Sequence, residues 1–316
     1  VSNLGARWLS WGVSNGNGKY SVILLGYPTV LDYLQDDCYM GAIVGRFANR
    51  IGGATFSLED HEYTLEKNDG ANTNHGGYSG FHSKIWKGSY EGNKIVFRLS
   101  SAHLEGGYPG NVEVTVSYSF TSDGMVSIDF DGVSDRLTVL NLTNHAYFNL
   151  AGKGDILQHR VTIPSSYILE TNAEFIPSGG ILPVEATEFD FRYGKNIGKD
   201  IEKQTQQLEW NRGYNHCYVF SLYDERKMKW TASVYEPKSR RKLDVFTTYP
   251  GVLFYSSGYL SSQIVGKQGY KYTPMCGFCL ETQYFPDFPN HSEFPQGVVF
   301  PEKPYHHTTL YKLSVV

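Results

Sequence analysis

Apolar and polar side chains alternate along residues 112–130 of this chain. Val112, Val114, Val116, Tyr118 and Phe120 take one register, with Glu113, Thr115, Ser117 and Ser119 between them. After Ser122-Asp123-Gly124 the alternation resumes, with Val126, Ile128 and Phe130 set apart by Ser127 and Asp129. A period of two sends successive side chains to opposite faces of a strand, so the two runs predict an antiparallel hairpin joined by a turn. Segments 95–99, 230–235 and 243–247 read as further short strands, separated by clusters of Gly, Asn, Pro and Ser. Helical patterns are few. Thr29 can cap a short helix running to Leu34, and 199–210 is a polar excursion compatible with helix. The chain shows no long amphipathic helix, which argues against a doubly wound α/β fold. Many short strands with turns between them predict an all-β sandwich or barrel, in one domain spanning 1–316.

Composition agrees with this reading. There are only 11 alanines, against 24 tyrosines and 18 phenylalanines, a balance that favours strands over helices. The formal net charge is −4 and no basic run stands out, so a phosphate-backbone partner such as nucleic acid is not expected. Apolar stretches such as 22–25 are only a few residues long, too short to cross a membrane as a helix. No signal-peptide pattern opens the sequence and cysteines are few, so a cytoplasmic location is expected. Cys276 and Cys279 form a C-x-x-C inside 276–284, a segment that reads as a strand. Residues three apart in a strand face opposite ways, so the two sulfurs would not converge on a metal.

Four clusters could carry chemistry. In 140–150, the even positions are apolar except Asn144, and the odd positions are Asn141, Thr143, His145, Tyr147 and Asn149. Read as a strand, this places a histidine among hydrogen-bonding groups on one face. A solvated sheet face would also be polar, but it would carry Lys and Glu. In 276–284, Glu281 shares a face with Gly277, Cys279 and Gln283. A carboxylate on such a strand is either half of a structural ion pair or a general base. Asn72-Thr73-Asn74-His75-Gly76-Gly77 sets a histidine before two glycines that allow a tight turn or a close approach to a ligand. Gly45-Arg46-Phe47-Ala48-Asn49-Arg50 supplies two arginines, either of which could be structural. H-E-x-x-H, P-loop, G-x-G-x-x-G and G-x-S-x-G patterns are absent, so the sequence predicts no metal and no cofactor.

In this order, the clusters resemble aldose 1-epimerases (mutarotases), most of all the galactose mutarotase group. The matching stretches are GAIVGRFANRIGGATF (41–56), NTNHGG (72–77), EGGYPGNV (105–112), NLTNHAYFNLAG (141–152), GILPVEATEFDFR (180–192) and ETQYFPDFPN (281–290). The resemblance implies a β-supersandwich with an open cleft. It implies interconversion of the α and β anomers of free aldohexoses, a small-molecule monosaccharide as ligand, and no cofactor or metal. By motif match, Glu281 would be the general base and His145 the general acid. His75 would assist at the ring oxygen, and Asn49 and Arg50 would hold sugar hydroxyls.

Ring opening requires one group to take the anomeric hydroxyl proton while another protonates the ring oxygen. The aldehyde then turns about C1–C2 and recloses by the reverse transfers. From ordinary pKa values of about 4.3 and 6.5, an ionised Glu281 and a protonated His145 are expected to suit neutral pH. The chain departs from the family pattern in three places. A usual G-Y-D-H-like aspartate is Asn215, and the P-G-V-Q-like glutamine is Leu253, which cannot make an amide's hydrogen bonds. Relatives also carry one or two strands ahead of the segment that opens here at Val1, so the sequence is expected either to be trimmed or to end its sheet differently. The two substitutions leave open two other readings. One is a sugar-binding or regulatory protein without turnover. The other is an epimerase for another carbohydrate, such as a disaccharide, an acidic sugar or a hexose 6-phosphate.

Overall fold

The alternating runs pair as expected. Val112–Phe120 lies antiparallel to Met125–Ser134, with Val112 opposite Ser134 and Phe120 opposite Val126. The structure is a computed structural model that describes residues 1–15, 18–121, 123–220, 224 and 227–316. Ser122 of the expected turn lies outside the described residues. Beyond it, Gly124 takes φ +78° and donates its N–H to the Thr121 carbonyl.

The hairpin belongs to a nine-stranded sheet. Its order is Lys195–Asn196, Arg160–Thr162, Lys229–Glu236, Arg241–Thr247, Tyr305–Val315, Met125–Ser134, Val112–Phe120, Lys94–Ser101, Lys87–Glu91. The expected strands at 95–99, 230–235 and 243–247 all fall inside these elements. A five-stranded sheet runs in the order Pro177–Pro183, Tyr167–Thr171, Asn215–Val219, Gly251–Tyr255, Cys279–Gln283. Every pairing within both sheets is antiparallel.

The two sheets share one core, in which Val116, Phe130 and Val245 join Tyr218, Phe254 and Leu280. Thr282 of the smaller sheet meets Thr309 of the larger at 2.5 Å between hydroxyl oxygens, and Thr309 in turn meets Thr247 at 3.1 Å. Burying these hydroxyls together satisfies them without water. The fold is therefore an all-β antiparallel sandwich. Its register decides where chemistry can sit. Tyr218, Phe254, Leu280 and Thr282 point into the sandwich, so Cys217, Leu253, Tyr255, Cys279 and Glu281 must point to the other face of the small sheet.

Three expectations need correction. Residues 140–150 do not form a continuous strand: only Thr143–Asn144 pairs, with Ile43–Val44, and single bridges tie Asn141 to Phe47 and Phe148 to Leu24 and Phe278. All of 140–150 is buried, so its polar positions do not mark an open face. Within 276–284 the strand covers only Cys279–Gln283; Cys276 lies in a preceding turn, its N–H donating to the Thr273 carbonyl. The helical segments differ from the patterns: the first is a 3-10 turn capped at Val30 and not Thr29, and the second is broken up. A 3-10 turn covers Leu31–Gln35, and 199–210 yields only the end of a 3-10 turn at Ile197–Lys199 and most of the α-helix Gln206–Asn211. All four cysteines are free thiols. Among the described residues no helix is long and apolar enough to cross a membrane.

Candidate active site

The outer face of the small sheet is covered by loop segments that include Tyr39, His75, His145 and Tyr259, and a cleft of ≈ 350 Å³ lies between them and the sheet. That is the small end of the range for ligand pockets, about 300–1,000 Å³. A larger cavity of ≈ 620 Å³ lies elsewhere, lined by Lys19, Gly152, Glu236 and Arg241, and contains none of the expected site residues.

Glu281 comes from the edge strand Cys279–Gln283, opposite Leu253 in the ladder. It is 2% exposed, and its Oε2 has no hydrogen-bond partner among the described residues. His145 follows the short pair Thr143–Asn144 and is held by its own backbone, which donates to the Ala42 carbonyl and accepts from the Gly41 N–H. Its Nε2 stands 3.7 Å from Glu281 Oε1, too long for a hydrogen bond and close enough for both to reach one bound molecule. Cys279 Sγ sits 3.6 Å from the other ring nitrogen, Nδ1.

His75, Asn49 and Arg50 are brought together by a two-residue ribbon, Arg50–Ile51 against Thr73–Asn74. The His75 N–H donates to the Asn49 carbonyl, and the Asn49 N–H donates back to His75 Nδ1 at 3.1 Å. A neutral imidazole that accepts at Nδ1 carries its proton on Nε2, which leaves His75 a donor on its free side. Asn49 and His75 both adopt left-handed backbone, φ 67° and 54°, as does Tyr39 at φ 57°. Such conformations cost free energy in non-glycine residues and concentrate at functional sites. Arg50 Nε donates to Asp69 Oδ2 at 2.6 Å, and its guanidinium lies 4.7 Å over the Phe175 ring, which fixes its direction.

Arg46 resolves as structural. It is 2% exposed and donates to the carbonyls of Ser101, Ala102, Pro109 and Gly110 and to the Ser101 hydroxyl. The polar residues of 140–150 divide similarly. His145 and Tyr147 line the cleft. Asn141 bonds through its amide to Ala48 and Tyr284, and Asn149 to Gly154 and Cys276, so both brace backbone instead. Asn215 lines the cleft opposite Tyr255 in the ladder. Leu253 does not; it lines a smaller hollow that adjoins the cleft.

The electrostatics differ from the ordinary values. Loss of solvent pushes the Glu281 carboxyl up to about 8, with the Arg50 charge opposing. The same loss pulls the His145 imidazole down to about 4 and His75 well below its usual value. At neutral pH these shifts place the one proton of the Glu281–His145 pair on the carboxyl. The ion pair expected from unperturbed values is inverted, because burial penalises both charges.

Several lining residues escape sequence reasoning. Tyr39 stacks against His145 at 5.8 Å and meets His75 at 4.6 Å between ring centroids, and Tyr255 and Tyr259 close the far wall. Tyr39 and Tyr259 sit in segments with no motif around them, and Tyr255 lies two residues beyond the P-G-V-Q-like segment; the left-handed backbone of Tyr39 is unusual, and backbone sign is not visible in a sequence. The ligating atoms of His75, His145 and Glu281 lie within 4.8 Å of one another, so these three could also hold a divalent cation.

The family model for aldose 1-epimerase matches residues 1–312. The chain is 39% identical to the galactose mutarotase of Rattus norvegicus over 97% of its own length and 90% of the relative's. It is 33% identical to the aldose 1-epimerase of Escherichia coli K12, over 94% and 85% of the two chains. An aldose epimerase homologue from C. elegans superposes with a TM-score of 0.92 at 27% identity, over 99% of this chain and 94% of that one.

Proposed function

Because the chain belongs to the aldose 1-epimerase family, we propose that Glu281 and His145 exchange protons with the two oxygens on C1 of a bound pyranose. The activity is interconversion of the α and β anomers of aldoses, an isomerase reaction. The substrate class is free aldohexoses of the galactose and glucose type. The cleft holds about one ring, and no step requires a redox partner.

In this reading the C1 end of the sugar lies against the carboxyl and the imidazole together. Its hydroxyls replace the water that Glu281 lost, and Arg50 favours the charged carboxylate, so the proton of the pair passes to His145. Glu281 then takes the O1 proton while His145 Nε2 protonates O5, and the C1–O5 bond breaks. The free aldehyde turns about C1–C2, and the same two groups reverse their roles on the opposite face. His75 donates from Nε2 toward O5. Asn49, Arg50 and Asn215 hold hydroxyls that keep the ring in place. A positioned acid or base contributes roughly 10²–10⁴-fold, and both transfers conserve the charge of the pair.

The observation that carries this reading is the buried Glu281–His145 pair at 3.7 Å, both residues lining a ring-sized cleft and one carboxyl oxygen buried without a hydrogen-bond partner. Polarimetry of freshly dissolved α-D-galactose and α-D-glucose tests it. The protein should speed the approach to the equilibrium rotation well beyond buffer; folded protein that leaves the rate at the buffer value would reject the proposal.

A further inference from the structure

We propose that this cleft is specific for a deoxyaldose, a pyranose carrying hydrogen or methyl at the corner where galactose carries a hydroxyl or hydroxymethyl group. The proposal rests on the epimerase reading and narrows the substrate class. A hollow of ≈ 10 Å³ opens off the cleft and shares Asn49, Arg50, Phe175 and Asn215 with it. About 10–15 Å³ on this measure admits a single water-sized group, so the hollow takes one ring substituent and no more.

Its walls beyond the shared residues are Leu169, Pro177, Cys217, Leu253 and Pro286, all carbon or sulfur, together with Thr171. The Thr171 hydroxyl proton is committed to Gln207 Oε1 at 3.0 Å, which leaves that oxygen able only to accept. Leu253 lies in the ladder between Cys217 and Glu281, and it is 4% exposed, so it forms the floor right beside the proposed base. Asn49, Arg50 and Asn215 are shared with the cleft, and the end of the hollow lined by its own residues is apolar except for Thr171. A hydroxyl pushed into that end would give up water and find weak partners or none, whereas hydrogen or methyl loses nothing there.

The magnitude follows from the kind of pocket. An apolar pocket rejects an added hydroxyl by no more than about 10²-fold, whereas one built to bond that hydroxyl rejects its absence far more strongly. The preference should therefore be real but bounded, and a single polar substitution should reverse it.

The test is kcat/KM of the full chain for anomer equilibration of D-galactose, 6-deoxy-D-galactose and 2-deoxy-D-galactose. One deoxysugar should exceed galactose by about 10- to 100-fold. Leu253→Gln should cut that ratio by tenfold or more, and Leu253→Met, which stays apolar, should preserve it. Should Leu253→Gln fail to fold, Cys217→Ser places a hydroxyl next to Leu253 on the same face of the sheet and carries the same expectation. Both deoxysugars at or below galactose in the wild type would overturn the proposal, as would a ratio that Leu253→Gln leaves unchanged. If no sugar is turned over, the epimerase reading fails separately. Calorimetry on the same three sugars then decides the subsite, with tighter binding of a deoxysugar supporting it and equal or weaker binding overturning it.

Discussion

Among the described residues, two buried clusters join histidine with tyrosine, one around His307 and one around His145, and they are built for different ends. In the sandwich core, His307 is 2% exposed and stacks on Tyr249 at 4.0 Å. Its Nδ1 meets the Thr248 hydroxyl at 3.0 Å and its Nε2 meets the Tyr284 hydroxyl at 3.1 Å. In the cleft, His145 is 4% exposed and lies between the rings of Tyr39 and Tyr147. Its Nε2 faces a carboxyl at 3.7 Å with no hydrogen bond closed. Residue type and burial are nearly the same. Burial lowers both imidazoles, to about 3 and about 4. The difference lies in satisfaction: a ring with both nitrogens engaged is structural, and one left open beside an unpartnered carboxyl oxygen is available to a substrate.

The sharpest way to break this comparison is to remove one group from each cluster. Glu281→Gln should lower kcat by about 10²–10⁴-fold with little change in KM, since it keeps the shape and removes the base. His307→Asn should keep kcat per folded molecule close to wild type and cost about 1–3 kcal/mol of stability in denaturant unfolding. A turnover loss at His307 as large as that at Glu281 would erase the distinction.

The pH profile comes next. Turnover needs one proton on the Glu281–His145 pair. Below about 4 both groups are protonated and the base is lost; above about 8 both are deprotonated and the acid is lost. A plot of kcat/KM for the wild type should be bell-shaped with limbs near those values, each falling about tenfold per pH unit, and the limbs belong to the pair as a whole. A descending limb near pH 6.5 would show instead that His145 keeps its ordinary value.

Stability gives an independent handle. The carboxyl of Glu281 titrates near 4.5 when unfolded and at about 8 when folded. Below 4.5 both states hold the proton. Between the two values the unfolded chain releases it and the native state does not, so stability falls as pH rises and the loss is complete above 8. Glu281→Gln removes this slope, and its gain in stability should be larger at pH 9 than at pH 5, by at most about 3–5 kcal/mol. Thermal unfolding at both pH values reads the difference.

The smallest effect is expected at the rim. Asn215→Asp restores a charged acceptor and should lower KM for galactose about three- to tenfold with kcat little changed, since a charged hydrogen bond exceeds a neutral one by about 1 kcal/mol. Steady-state kinetics distinguishes this from a change in kcat.

The larger sheet was legible because its strands have one face toward the core and one toward solvent. Val112, Val114, Val116 and Tyr118 are buried and keep the period of two for that reason, although Phe120 at the strand end is exposed, and the pattern named the hairpin and three further strands. Residues 140–150 keep the same period and are not a strand. They are buried on every side, so Asn141 and Asn149 are polar in order to brace backbone, and alternation carries no meaning there. Of the site, His75, His145, Glu281, Asn49 and Arg50 were legible through their motifs, and the structure brings all five to one cleft. The separation of Arg46 from Arg50 was not legible, because only the fold decides which guanidinium meets five carbonyl and hydroxyl groups. The inverted proton of the Glu281–His145 pair was equally hidden, since it depends on how much water the roofing loops exclude.

A crystal structure of the protein with bound galactose measures the central claim most directly. The account predicts one pyranose in the ≈ 350 Å³ cleft, with O1 within about 3.2 Å of a Glu281 carboxyl oxygen and O5 within the same reach of His145 Nε2. A sugar seated in the ≈ 620 Å³ cavity beside Arg241, or one in the cleft with C1 turned away from both groups, would contradict it.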